Sequence, residues 1–128
     1  MMLTFPYSKS AIGESFPLVN FILYHKNHLV RASALIDSGA VISIFREEVA
    51  EMLGIKIENG KEIYLGGIGS KIKGYIHKVE IEIADKKFKF PIVFSHEYKV
   101  SFNLLGRDNF FNKFKITFDE KKNYLKLE

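Results

Sequence analysis

Residues 34–45 read ALIDSGAVISIF: an apolar run, one carboxylate, a hydroxyl, a glycine and a second apolar run. An unpaired charge is costly to desolvate, so Asp37 between two hydrophobic stretches needs a reason. Either it shapes a turn, or the fold holds it there for chemistry. Asp, Ser and Gly dominate ordinary turns. The tripeptide alone therefore leaves both readings open, and its surroundings have to decide.

Outward from this stretch the pattern has mostly period two. Residues 18–24 and 29–36 alternate as half-buried strands joined by the polar His25-Lys26-Asn27-His28, which reads as a hairpin loop. Residues 41–45 read as a short buried strand. The one convincing helix is 46–53, REEVAEML, where Val49, Met52 and Leu53 recur at helical spacing and Gly54 ends the run. Strands are expected again at 62–65, 72–84, 88–94, 102–105, 114–118 and 124–127, with Asp85-Lys86 and residues 120–123 as polar turns. Asp108 reads as the cap of one helical turn through Phe111. The pattern predicts an all-β chain with one or two short helices, folded as a small closed or nearly closed barrel, with residues 1–128 forming one domain.

Composition narrows the function classes. With 128 residues and 47% hydrophobic content the chain can bury one ordinary core. It has no cysteine, so it has no disulfide framework and no thiolate zinc site. His25, His28, His77 and His96 lack the acidic spacing of a ligand set, so no metal is expected. The opening MMLTFPYSKS lacks the basic start and apolar stretch of a signal peptide, and no segment approaches 18 uninterrupted apolar residues. A cytoplasmic protein without a membrane partner is the expectation. The formal charge of +4 does not change this, because the lysines of DKKFKF and NKFKITFDEKKNYLKLE alternate with apolar residues and are interspersed with acids, as on a solvated sheet face. No nucleic-acid partner is expected.

Two further stretches bear on Asp37. Residues 66–70, GGIGS, lie between strand runs and read as a hairpin tip whose backbone can approach another molecule closely. Leu104-Leu105-Gly106 repeats the character of Leu35-Ile36 running into the Asp37-Ser38-Gly39 turn, without the acid. Together, residues 34–45, GGIG at 66–69 and LLGRD at 104–108 resemble the retroviral-type (retropepsin-like) aspartic proteases in the order strand, Asp-Ser/Thr-Gly-Ala, glycine-rich flap, then apolar-apolar-Gly before a short helix. The resemblance covers about 18–119 and implies a closed β-barrel of the retropepsin type, active as a two-fold homodimer.

The same resemblance implies an aspartic endopeptidase that cuts a peptide or protein substrate without any cofactor. Two carboxylates share one proton, so that one activates a water as base while the other polarises the scissile carbonyl. Asp37 would be that catalytic carboxylate, and Ser38 and Gly39 would support the active-site loop. Ala40, Val41, Gly66, Gly67 and Ile68 would contact substrate, whereas Gly106 and Arg107 would be structural. The chain contains a single Asp-Ser/Thr-Gly, because Asp85, Asp108 and Asp119 have other successors. A second copy of the chain must then supply the second Asp37 across a two-fold axis. The alternative is a dimeric peptide-binding module on the same fold that performs no turnover. One departure stands out: many viral relatives carry an acid where Val41 stands, paired with the arginine of the apolar-apolar-Gly-Arg motif. Arg107 is therefore expected to turn to Asp119, Glu120 or backbone carbonyls, and substrate recognition to lean on apolar subsites.

Overall fold

The protein is described from a computed structural model covering residues 3–9, 12–67 and 69–128. In chain order its strands are β1 (Leu3–Pro6), β2 (Ser8–Lys9), β3 (Ser15–Phe16), β4 (Leu18–His25), β5 (His28–Ile36), β6 (Ser43–Phe45), β7 (Lys61–Gly67), β8 (Ser70–Ile83), β9 (Lys86–Phe94), β10 (Asn103–Leu105), β11 (Ile116–Asp119) and β12 (Tyr124–Leu127). Helix α1 spans Glu47–Met52, and 3-10 turns occupy Ile57–Asn59 and Phe111–Lys113. Alternation forms the first hairpin: in β4 Val19, Phe21 and Leu23 are buried while their neighbours are not, and in β5 Val30, Ala34 and Ile36 answer them from the same face.

The main sheet runs β4-β5-β10-β6-β9-β8-β7, and β4 also pairs with β8 through Leu23↔Ile81 and its neighbours. That pairing closes a six-stranded ring and leaves β7 as an outer strand on β8. This is the closed barrel expected of the retropepsin type. It is filled by Phe21, Phe45, Ile81, Phe90, Ile92, Phe94 and their neighbours, and α1 plugs it with Val49, Ala50 and Leu53. Each fully buried phenylalanine contributes about 2–3 kcal/mol of transfer free energy.

One long strand does two jobs. The second half of β8 pairs with β9 and β4 in the barrel wall, whereas its first half leaves the wall and pairs with β7 from Lys61↔Ile76 to Gly67↔Ser70. The projecting hairpin covers the far face of β6 and β9, so Ile44 and Val93, which point away from the main core, are buried against Leu65, Ile72 and Tyr98. This second, smaller core lies beside Asp37.

Several boundaries differ from those expected. The turn between β8 and β9 is Ala84-Asp85, both with positive φ (49° and 68°), and Lys86 already belongs to β9. Asp108 caps no helix: its N–H donates to the Val41 carbonyl at 2.7 Å, Asn109 adopts φ 53°, and the helical turn starts only at Phe111. Strand β6 begins at Ser43, leaving Val41 and Ile42 in a bend. Strands β1, β2 and β3 have no period-two signal of their own. Strand β1 forms because β12 offers it a ladder from Leu3↔Leu127 to Pro6↔Tyr124, and Leu125 and Leu127 then close the bottom of the barrel core.

Candidate active site

Asp37 sits one residue past the end of β5, and its position is fixed by a strand from the other end of the sequence. Strand β10 inserts between β5 and β6, parallel to the first and antiparallel to the second. Its register sets Leu104 beside Leu35 and Leu105 beside Ile36, so the two similar stretches of sequence lie side by side and Gly106 comes level with Asp37. The Asp37 N–H donates to the Leu105 carbonyl at 3.0 Å, and the Arg107 N–H donates to the Ala40 carbonyl at 2.9 Å. The two loops cross at a contact only glycine permits: a Cβ on Gly106 would lie 2.6 Å from the Ile42 carbonyl group and 2.9 Å from the Ala40 oxygen.

Two buried polar side chains lock this crossing. Ser43, fully buried, accepts the Gly106 N–H at 3.0 Å. Asn103 receives the Arg46 N–H on its Oδ1 at 2.8 Å and donates through Nδ2 to the Ser33 carbonyl at 2.9 Å, so one amide ties β10 to the segments on either side. Losing either would leave a backbone group unpaired inside the protein, at a cost of about 1–3 kcal/mol. The sequence places Ser43 equally well in a solvated strand. Asn103 passes unnoticed, although a lone amide in front of an apolar-apolar-Gly run is the kind of residue that could have flagged it.

Within the loop, the Gly39 N–H donates to Oδ1 of Asp37 at 2.9 Å, and a side chain at Gly39 would bring its Cβ within 3.3 Å of that oxygen. One carboxylate oxygen is thus held by the backbone, while the other has no hydrogen-bond partner among the described residues. Asp37 is half-buried, and Ser38 and Gly39 are exposed. Next to the loop, the β7–β8 hairpin and the barrel wall enclose a recess of about 250 Å³ lined by Ile44, Leu65, Gly66, Ser70, Ile72 and Tyr98. Burial pushes the Tyr98 phenol up to about 12, an effect the nearby Arg46 opposes and the charge of Asp37 reinforces. The hydroxyl therefore stays protonated at neutral pH and donates to the Phe102 carbonyl at 2.7 Å. A larger concavity of about 630 Å³, lined by Leu3, Asn20, Arg31 and Glu82 among others, includes neither Asp37 nor any residue of that recess.

Residues 14–119 match the family described as aspartyl protease. The chain belongs to the aspartyl protease family. Solved structures agree on the fold. A crystal structure of a retropepsin-like aspartic protease from Rickettsia conorii superimposes with a TM-score of 0.66 at 20% identity, covering 99% of this chain and 90% of that one. The EIAV protease complexed with the inhibitor HBY-793 gives 0.61 at 17% identity, covering 78% of this chain and 88% of that one. No curated protein sequence matches the chain.

In this aspartyl protease family member, Asp37, Gly39, Ala40, Val41, Gly106 and Arg107 converge on the loop crossing, and Gly66 reaches the adjoining recess. Gly67 pairs with Ser70 at the hairpin end, and Ile68 lies outside the described residues. The carboxylates expected for Arg107 are engaged elsewhere: Glu120 accepts the Tyr7 hydroxyl at 2.5 Å, and Asp119 accepts the Lys122 N–H at 2.8 Å. Arg107 itself is exposed and needs no buried partner, and among the described residues it makes no ion pair. Val41 is 72% exposed, an unusual setting for a valine and one that leaves it open to contact from outside the chain. Gly69, at φ 88°, has the left-handed conformation expected of a glycine tip, whereas Gly66 does not. No group of three or more His, Asp or Glu side chains among the described residues is arranged to hold a metal, and no helix among them is long and apolar enough to cross a membrane.

Proposed function

We propose that this chain is an endopeptidase that works as a two-fold homodimer, each subunit contributing one Asp37 to a shared pair of carboxylates. The observation that carries this reading is the state of Asp37. One oxygen is oriented by the Gly39 N–H, the other has no partner among the described residues, and the carboxylate sits at a glycine-tight loop crossing beside an apolar recess. A single such carboxylate cannot act as base and acid in one step. A partner's copy next to it forces the two to share a proton, because like charges in contact cannot both ionise. One carboxylate then removes a proton from the attacking water while the other donates to the scissile carbonyl oxygen, and the roles reverse when the amine leaves.

The β7–β8 hairpin acts as the flap. An extended peptide lies between it and the Asp37 loop, with the Gly66 and Gly67 backbone offering main-chain hydrogen bonds. Ala40 is small enough to leave the substrate backbone room, and Ser38, exposed beside the two-fold axis, links the two loops across it. Side-chain preference comes from the recess of Ile44, Leu65, Ile72 and Tyr98, which favours apolar residues. The active unit is a single domain working in the cytoplasm.

The test is cleavage of a mixed peptide library by the wild-type chain and by Asp37→Asn, with and without a hydroxyl-bearing transition-state mimic such as pepstatin, and with the mass in solution determined by sedimentation. Cleavage that is lost in Asp37→Asn and blocked by the mimic supports the reading. Peptide binding without any cleavage would instead identify a dimeric peptide-binding module.

A further inference from the structure

The hairpin that projects over Ile44 and Tyr98 has to be released from the barrel wall at some residue, and that residue sets how long its free arm is. The ladder between β8 and β9 ends at Tyr75↔Phe94. One rung further out, at Lys73, β9 has already turned away. Yet the outward backbone groups of Lys73 are not free. Its carbonyl accepts the Ser95 hydroxyl at 2.5 Å, and its N–H donates to the Glu97 carboxylate at 3.2 Å. The two side chains supply the donor and the acceptor that a continuing strand would have offered, so they replace one rung of the sheet.

Everything around this rung is built to hold it. Ser95 is fully buried and also receives the Glu97 N–H on its hydroxyl at 3.0 Å, which folds the Ser95-His96-Glu97 segment into a tight turn. Gly74 beside the rung leaves room for β9, because a Cβ there would meet Val93 Cγ1 at 2.5 Å and the Phe94 carbonyl oxygen at 3.3 Å. His96 anchors the turn from outside, with Nδ1 at 2.6 Å from a Glu47 oxygen on α1 and Nε2 at 3.3 Å from a Glu58 oxygen on the 3-10 turn. Tyr98, next in line, is the floor of the recess and holds the Phe102 carbonyl. Four consecutive side chains thus tie their surroundings together: Ser95 and Glu97 grip the hairpin, His96 grips α1 and the 3-10 turn, and Tyr98 grips the segment leading into β10.

We infer that Ser95 and Glu97 form the fulcrum of the flap, and that Glu97 is a positioning residue for peptide capture through its grip on the Lys73 backbone. This rests on the reading of the β7–β8 hairpin as a flap. With the rung in place, the free arm starts beyond Lys73, and Leu65, Gly66 and Ile72 are presented over Ile44 and Tyr98 at a fixed height. Without it, support retreats to the Tyr75↔Phe94 rung and the arm lengthens by two residues on β8. A longer, looser arm must be ordered each time a peptide binds, so capture weakens while the chemistry at Asp37 is untouched.

The experiment compares wild type, Glu97→Ala and Glu97→Gln by steady-state kinetics on one extended apolar peptide, and by amide hydrogen exchange of the peptide-free protein. Glu97→Ala should raise KM about five- to tenfold, as expected for loss of one solvent-exposed hydrogen bond of ordinary net strength, with kcat within about threefold. Amide protection should fall about tenfold at Lys73 and stay unchanged in β4 and β5. Glu97→Gln, whose amide oxygen still accepts from Lys73, should restore KM to within about threefold of wild type. An unchanged KM and unchanged protection at Lys73 in Glu97→Ala would overturn the proposal, as would protection lost throughout the barrel. If the wild-type chain neither cleaves nor binds any peptide, the flap reading fails by itself, and the exchange data still decide whether the rung exists.

Discussion

Placing a methyl group on Gly106 strikes the point where the two loops cross. In Gly106→Ala the new Cβ would lie 2.6 Å from both the carbonyl carbon and the oxygen of Ile42, and 2.9 Å from the oxygen of Ala40. Unstrained carbon contacts begin at about 3.5 Å, and all three neighbours are backbone atoms that cannot swing aside. The loops must therefore separate by roughly half an ångström or more. That movement strains three hydrogen bonds at once: Gly106 N–H to Ser43 at 3.0 Å, Arg107 N–H to Ala40 at 2.9 Å and Asp37 N–H to Leu105 at 3.0 Å. Overpacking of this kind costs about 1–3 kcal/mol, and net loss of one of the bonds adds about 1 kcal/mol. The expected destabilisation is about 2–4 kcal/mol, which for a chain of this size lowers the melting temperature by roughly 10 °C. Because Asp37 hangs on the same crossing, peptide hydrolysis should fall further than stability alone explains when measured well below the melting temperature. Gly66→Ala is the control: its Cβ would meet only Lys71 Cγ at 3.8 Å, and its stability should stay within about 0.5 kcal/mol of wild type. Urea unfolding followed by circular dichroism reads both. A Gly106→Ala chain with the midpoint and hydrolysis rate of wild type would refute the loop-crossing account.

Other outcomes can be measured alongside. Asp37→Asn should abolish hydrolysis with the fold intact, since the amide matches the carboxylate in shape but cannot act as the base; activity within tenfold of wild type removes Asp37 from the mechanism. Specific activity should drop on dilution, and added Asp37→Asn chains should poison the wild type by subunit exchange; a sedimentation-proven monomer with constant activity contradicts the shared site. Gly69→Val should slow turnover more than it harms folding, because the tip glycine sits at φ 88° with open space around it, so the penalty is local backbone strain. The His96 anchor should be pH-dependent. Its carboxylate neighbours Glu47 and Glu58 raise its pKa above the ordinary 6.5, so its contribution is complete below that value and fades as pH climbs through the raised one. Glu47 is held below 4.5 by its hydrogen bond to His96, and Glu58 by a hydrogen bond to its own backbone and then by His96, so the part owed to His96 is present above 4.5 and fades as pH falls through the lowered values; Lys99, facing Glu47, pulls the same way. The stability difference between wild type and His96→Ala should therefore be largest between about pH 4.5 and 6.5 and shrink on both sides, and a difference that is flat from about pH 4 to 9 contradicts it.

Much of this protein can be read directly from its residues. Local alternation marks β4, β5 and the second half of β8, because each buries one face and the spacing of apolar side chains records it, whereas β9 reads as a continuous apolar run, residues 90–94, buried on both faces. Helix α1 is legible for the same reason at a different period, with Val49, Leu53 and Gly54 in their expected places. Asp37-Ser38-Gly39-Ala40, GGIG and LLGR suffice to suggest an aspartic protease by resemblance; close approach restricts residue type at Gly106 and positive φ does so at Gly69, whereas a Cβ at Gly66 would make only an ordinary contact. What the sequence could not decide is every contact made between distant segments. Strand β1 exists only because β12 lies beside it. Ser43 is buried and bonded to Gly106 rather than solvated, because β10 arrives from sixty residues away to cover it. Arg107 is exposed with its expected partners committed to Tyr7 and Lys122, a competition visible only once β11 and β12 are in place. The side-chain rung at Lys73 has no local signature, since Ser95 and Glu97 look like an ordinary polar turn until β8 runs past them. Periodicity is a property of neighbours along the chain, whereas the crossing of loops and the end of a ladder are properties of neighbours in space.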